Sequence, residues 1–366
     1  MNRRESYIDA LKGWAILGTI MVHCGLWESS KASLLAASGA RLCQLFLIIS
    51  AYLLFGSYDR YCENITAENK TKNVMYWILK RFIRLIPLWY LSIFVSLLSR
   101  GESTFWLGTQ VHVTWQNILS HVFFLHGLFP YYIDSILGVD WYIGDLSLLI
   151  LLVPLIHRLI KTPVSALAWC FGTMMLMPYV SSHLNGLYLL PEADAAIWDA
   201  FINNWGFWNQ LPVVLTGVLL YLIMQNDTGF ERGTSSRQLS YILFAISVLL
   251  QYGLIFKGIH VWNLSIYSLF AIPYGILFLS QWLYSNKLVN NSFTRKLGKY
   301  SYGIYLFHFR IVTWLNSYLT AQSPLTAVMR ICIVIVFALI ISVVVTRHVE
   351  EPLAKRMNHQ LDSWFH

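Results

Sequence analysis

Along the 366 residues, apolar runs recur between short polar joints, and about 20 apolar residues make one bilayer crossing. The runs predict ten transmembrane helices, near 7–27, 34–56, 82–99, 141–160, 163–181, 206–224, 239–257, 262–284, 301–319 and 327–347. The longer connections are 57–81, 100–140 and 182–205. Trp115 to Phe129 is too short for a crossing and breaks at Pro130, so it reads as an interfacial or partly re-entrant helix. The expected fold class is an all-α membrane protein of about ten transmembrane helices. Residues 1–350 would form the transmembrane domain and 351–366 a short cytoplasmic tail, with Pro352 stopping the last helix.

Composition supports the membrane reading and settles its direction. The chain is 57% hydrophobic and only 12% charged, against about 25% charged in a soluble domain. With the N-terminus cytoplasmic, 20 of the 26 Lys and Arg residues fall on that side and three on the other. Arg41, Arg310 and Arg330 lie within spans or at their outer ends. That is a strong positive-inside bias, and both termini are expected in the cytoplasm. The net charge of +8 is spread between apolar runs, with no basic tail or stripe, which argues against nucleic acid as a partner. Five cysteines lie singly, so neither a metal site nor a disulfide framework is expected. The basic start leads into a full-length span without a small-residue cleavage site, so it is expected to stay as the first helix.

A few polar residues interrupt the apolar runs. In the first span, Asp9, Lys12, Thr19 and His23 fall along one stripe of a helix. Lys12 and His23 are separated by about 16 Å of rise. In the ninth span, Ser301, Tyr305 and His308 share a face at steps of four and three. Both histidines are expected to approach from the cytoplasm to similar depth, forming a constellation with Lys12, Asp9, Tyr305 and Arg310. Ionisable groups inside a membrane are costly and tend to mark sites. Ser50 and Tyr52 are the polar groups late in the second span, where a lone serine more often bonds its own backbone or a neighbouring helix. Lys80, Arg81 and Arg84 precede Pro87 at the third span's entry. They suit either membrane anchoring or a phosphate grip. Asp145, at the outer end of the fourth span, suits either the start of a helix or an acidic site residue.

Taken in order, IDALKGWAILGTIMVH, LFLIISAYLLF, KRFIRLIPLWY, HVFFLHGLFPYYIDSILGVDWYIG, QLPVVLTGVLLYL, SYGIYLFH and VEEP resemble the integral-membrane acyltransferase family 3. The resemblance covers nearly the whole chain. It implies ten helices in a bacterial cytoplasmic membrane and O-acylation, with O-acetylation foremost. The donor substrate would be acyl-CoA (acetyl-CoA), with no permanently bound cofactor and no metal. The partners would be a cell-surface glycan or lipid-linked saccharide acceptor and the lipid bilayer. His23 matches the family's first-helix histidine, and Lys12 stands where an arginine is usual. Ala51 replaces the customary glycine after Ser50, and Arg81 and Arg84 match the basic pair before Pro87. With Trp141, Gly144 and Pro154 in register, the family's glutamate falls on Leu146, and Asp145 lies about 100° away around the helix.

The expected mechanism follows from this carry-over. Lys80, Arg81 and Arg84 grip the donor's phosphates, and Ser50 and Tyr52 lie along the donor. His23 is the general base on the acceptor hydroxyl. Lys12 and Asp9 hold the donor or fix the imidazole. Tyr305, Ser301 and His308 position groups or bind the oxyanion, with Asp145 as the acidic residue. Covalent transfer through His23 is the alternative. A catalytically degenerate membrane sensor on the same scaffold, and a glycan or lipid transporter, are the other classes.

Overall fold

The computed structural model describes residues 6–25, 31–63, 70–100, 108–225, 234–259, 261, 264–321 and 323–365. Among them every regular element is helical and no β-strand occurs. The chain divides into two compact units.

The first unit comprises Met1–Tyr52, Thr162–Pro178 and Gln210–Ser342. It contains α1 (Ser6–His23), α2 (Lys31–Ala37), the first half of α3 (Leu42–Cys62), most of α7 (Pro163–Leu187) and of α9 (Phe207–Gln225). It continues through α10 (Thr234–Phe256), α11 (Ile266–Leu283), α12 (Ser292–Lys299), α13 (Ser301–Leu315) and nearly all of α14 (Pro324–Val345). The short α12 begins in a capping box. Asn291 Oδ1 accepts from Thr294 N at 3.0 Å, and Thr294 Oγ1 accepts from Asn291 N at 3.2 Å. α12 lies directly on α1, and two glycines allow the approach. A Cβ on Gly13 would strike the Thr294 carbonyl, and one on Gly298 the Asp9 carbonyl. α13 follows α12 after one residue, which sets its helix beside α1. Side-chain hydroxyls also bond carbonyls within these helices. Pro273 O accepts from Ser247 Oγ at 2.7 Å, and Pro212 O from Thr216 Oγ1 at 2.9 Å.

The second unit comprises Leu53–Lys161, Tyr179–Asn209 and Val343–His366. Its helices are the second half of α3, α4 (Lys70–Arg100), α5 (Trp115–Val122), α6 (Trp141–Leu159), the end of α7, α8 (Ala195–Asp199) and α15 (Glu351–Phe365). α4 spans about 46 Å at 1.5 Å per residue, longer than the hydrocarbon core. α15 packs along the first half of α4, with Tyr76, Ile83 and Leu361 buried between them.

Several expectations change. Among the described residues, eight helices are long and apolar enough to cross a membrane, against the ten expected. The two that fall short are α1 and α13. α1 ends at His23 after 18 residues and carries Asp9 and Lys12, and α13 has only 15 residues. The expected reach of the first span to residue 27 runs beyond the described residues. The connection 57–81 is largely helix, because α3 continues to Cys62 and α4 begins at Lys70. Residues 351–365, expected as a short tail, form a helix. Pro352 does not stop the helix, since it occupies the first turn of α15, where a missing N–H is tolerated. In the stretch 115–129, only eight residues form α5, followed by a single 3-10 turn at His126–Leu128.

Candidate functional site

In the first unit, α1 and α13 bring two imidazoles together. The rings of His23 and His308 have centroids 5.4 Å apart and are tilted by 49°, and the Phe309 ring lies 5.0 Å from His23. His308 has no exposed surface, whereas His23 is partly exposed. The local helix sets the tautomer of His308. Its Nδ1 lies 2.7 Å from Tyr305 O and 3.2 Å from Ile304 O. Carbonyls only accept, so Nδ1 carries the hydrogen and Nε2 is left with its lone pair. That Nε2 is buried and has no hydrogen-bond partner. It is therefore the ring nitrogen able to accept a hydrogen bond.

The other residues of the expected constellation are distributed more widely. Tyr305 supplies the carbonyl that orients His308, and its ring lies 5.9 Å from the imidazole. Ser301 is buried in the first turn of α13, almost two turns before His308. Asp9 and Lys12 pair with each other at 3.7 Å. At about 16 Å of helical rise from His23, Lys12 does not fix the imidazole, which corrects that expectation. Thr19 donates to Ala15 O at 3.0 Å and lies 3.7 Å from the Cys43 thiol, so its part of the stripe faces α3. Tyr52 sits among rings, 5.7 Å from Tyr221 and 4.9 Å from Phe278. Ser50, two residues earlier on α3, is partly buried.

The basic residues expected at a phosphate lie in the second unit. Arg81 donates through Nη2 to Ser57 Oγ and stacks over Trp77, 5.1 Å from the ring centroid. Its Nε is buried and has no hydrogen-bond partner. Arg84 is exposed, and Arg60 and Arg84 both repel the Arg81 charge. Lys80 turns the other way, toward α15, pairing with Asp362 at 3.2 Å and lying 4.7 Å from the Tyr76 ring centroid. Asp145 is fully buried one turn inside α6, and neither carboxyl oxygen has a hydrogen-bond partner.

The second unit also holds a polar cluster that the sequence pattern did not single out. His121 Nδ1 donates to Asn117 O at 2.9 Å, and its Nε2 lies 2.9 Å from Asp140 Oδ2. His126 stacks on His121 at 4.4 Å and 16°, with Trp89 5.2 Å away on its other side. His126 Nε2 donates to Asp140 O at 3.1 Å. Burial, then the adjacent His121, pull His126 down to about 3, so this ring stays neutral. Burial, then the neighbouring Asp140, hold the Asp134 carboxyl well above the usual carboxylate range, and it hydrogen-bonds Asp140. Burial also opposes ionisation of Asp140, but the hydrogen bond and charge of His121 and the charge of His126 outweigh it and lower Asp140. Asp134 Oδ1 accepts from Trp141 N at 2.8 Å, which fastens the cluster to the start of α6. The available signal was the pair of histidines five apart, followed by two aspartates six apart, within one short stretch.

A second missed pair joins the C-terminal ends of α3 and α6. His157 Nε2 donates to Asp59 Oδ1 at 2.7 Å, while Lys161 Nζ donates to His157 Nδ1 at 3.1 Å.

Comparison with known families decides the class. The family model described as an acyltransferase domain matches residues 5–347. The chain belongs to acyltransferase family 3. It is a multi-pass membrane acyltransferase that transfers groups other than aminoacyl groups. Comparison with curated proteins and with solved structures gives no match. Within the acyltransferase match lie both members of the imidazole pair, Arg81 and Arg84, and the whole His121–Asp140 cluster.

Proposed function

We propose that the protein is an O-acyltransferase of the bacterial cytoplasmic membrane. It moves an acyl group, acetyl foremost, from acyl-CoA to a hydroxyl of a cell-surface or lipid-linked glycan. The observation that carries this reading is the imidazole pair, with His308 Nε2 held open by the carbonyls that fix its Nδ1–H. The acceptor hydroxyl gives its proton to His308 Nε2 as its oxygen attacks the thioester carbonyl. The C–S bond then breaks, and the leaving thiolate recovers the proton as CoA–SH. His23 lies beside the reacting atoms, where its imidazole orients the hydroxyl or donates to the developing oxyanion. We assign the base role to His308 and not to His23, because the Tyr305 and Ile304 carbonyls fix the His308 tautomer.

In the second unit, Arg81 and Arg84, with the Arg60 charge close to Arg81, are suited to a phosphate. Lys80 drops out of that set because Asp362 and Tyr76 already engage it. Asp9 and Lys12 form a local pair on α1, away from the imidazoles.

The test is transfer from radiolabelled acetyl-CoA by the purified protein, with glycan and lipid-linked saccharide acceptors. Labelled ester on the acceptor, with free CoA released in equal amount, is the expected result. Absence of transfer to every acceptor, with CoA binding retained, would return the chain to the sensor reading.

A further inference from the structure

Arg330 is a guanidinium inside an apolar helix, and it is only 4% exposed. Long cationic side chains near span ends normally reach for water. This one turns inward to three acceptors contributed by two stretches of chain. Nε donates to Cys24 O at 2.8 Å, Nη2 to Asn316 Oδ1 at 2.6 Å, and Nη1 to Leu319 O. Cys24 follows directly on His23, the last residue of α1, and Asn316 caps the end of α13. The final carbonyls of a helix lack intrahelical donors and lie at the negative end of its dipole. A forked cation suits the task of meeting acceptors from two helix ends at once, and a lysine does not.

We propose that Arg330 is a positioning residue for acyl transfer. It ties the end of α1 to the end of α13 and so sets the register in which His23 stands beside His308. The consequence for catalysis rests on the function proposed above, whereas the tie itself does not. Pulling either helix along its axis, or rotating it, breaks at least one of the three hydrogen bonds. Glycine contacts hold α1 against α12 near Gly13 and Gly298, and Arg330 holds it at the opposite end. The imidazole pair therefore sits near the end of α1 that depends on the guanidinium.

The experiment uses the full chain in lipid nanodiscs, comparing wild type with Arg330→Met, Arg330→Lys and Asn316→Ala. Carbethoxylation by diethyl pyrocarbonate, read by peptide mass spectrometry, reports each histidine without requiring activity. The expected result is that Arg330→Met changes the His23 to His308 labelling ratio several-fold, while exposed His359 and buried His121 label as in wild type. Transfer from acetyl-CoA should lose about 10- to 100-fold in kcat, as small misplacements near reacting groups do. KM for acetyl-CoA should stay near the wild-type value, with Arg330→Lys and Asn316→Ala intermediate in both readouts. Wild-type labelling ratio and kcat in Arg330→Met would overturn the proposal. Faster labelling of every buried histidine would also overturn it, since that marks general loosening. If Arg330→Met does not assemble, Arg330→Lys and Asn316→Ala decide on the same readouts. A shifted labelling ratio together with full activity of His23→Ala and His308→Ala would remove the proposed function and leave the tie standing.

Discussion

The two histidine pairs of this acyltransferase are built in opposite ways. His121 and His126 lie flat on one another at 4.4 Å, with Trp89 completing the stack and two carboxyls bonded around them. His23 and His308 stand 5.4 Å apart at a steep tilt, and no carboxylate bonds to His308. Both nitrogens of His121 meet acceptors, so that ring has no position left for a substrate. His308 spends one nitrogen on its own helix and keeps the other open. Burial alone therefore does not separate a histidine with both nitrogens bonded from one with an open nitrogen, because His121, His126 and His308 are all fully buried. The partners of each nitrogen separate His121 from His308, whereas His126, like His308, has one nitrogen on a carbonyl and the other buried without a partner.

This contrast can be broken most sharply at His308. Replacing His308 with Ala should lower kcat for transfer by about 10²- to 10⁴-fold, the usual worth of a positioned general base, with the thermal midpoint little changed. A variant retaining wild-type kcat in the radiolabel assay would end the base assignment. His121→Ala should do the reverse. It leaves the Asp140 carboxylate buried without its partner, a loss of about 3–5 kcal/mol of stability, measurable by thermal or denaturant unfolding in detergent. Activity per folded molecule should persist.

The pH dependence sharpens the comparison further. His126 is lowered to about 3, below its ordinary 6.5. The unfolded chain therefore binds more protons between those values, and stability is lost as pH falls from about 6.5 toward 3. His126→Asn should flatten that part of the melting-temperature profile. Asp134 titrates in the opposite sense. Its raised carboxyl makes stability fall as pH rises from about 4 through its folded value, and Asp134→Asn should remove that decline. The smallest effect is expected where the pair is solvent-washed. Lys80 and Asp362 are partly exposed, so Asp362→Asn should cost no more than about 1 kcal/mol, with activity unaffected.

Much of this architecture is legible in the sequence. Apolar runs gave helices at nearly all the expected places, and the ordered motifs resembled the family whose model matches residues 5–347. The juxtaposition of His23 and His308 followed from two polar stripes on two helices. Where pattern reading failed, the cause was an assumption about length or about which partner a charge would choose. α1 and α13, which carry the histidines, fall outside the eight candidate crossings, α1 with Asp9 and Lys12 among its 18 residues and α13 with 15 residues. Their polar residues depress hydropathy, and burial inside the unit stands in for lipid exposure. Lys80 looked like one of three equal cations until α15 folded back along α4 and gave it Asp362, 282 positions further on. The aspartates at 134 and 140 read as outer-surface acids. Only the packing around them shows two carboxyls and two imidazoles in one buried network.

By itself the sequence determined a helical membrane chain, a biased placement of its basic residues and two histidines on polar stripes. Those properties come from the type and spacing of neighbouring residues, because hydrophobic length and helical period act over one or two turns. The tertiary structure alone decided which imidazole nitrogen stays open, which cations remain available and where the Arg330 guanidinium ends. Each of these is a choice of hydrogen-bond partner, and the partner of Arg330 on α1 lies 306 positions away along the chain. A buried polar group must find whichever acceptor the packed fold places within about 3 Å, and no local pattern records that distance.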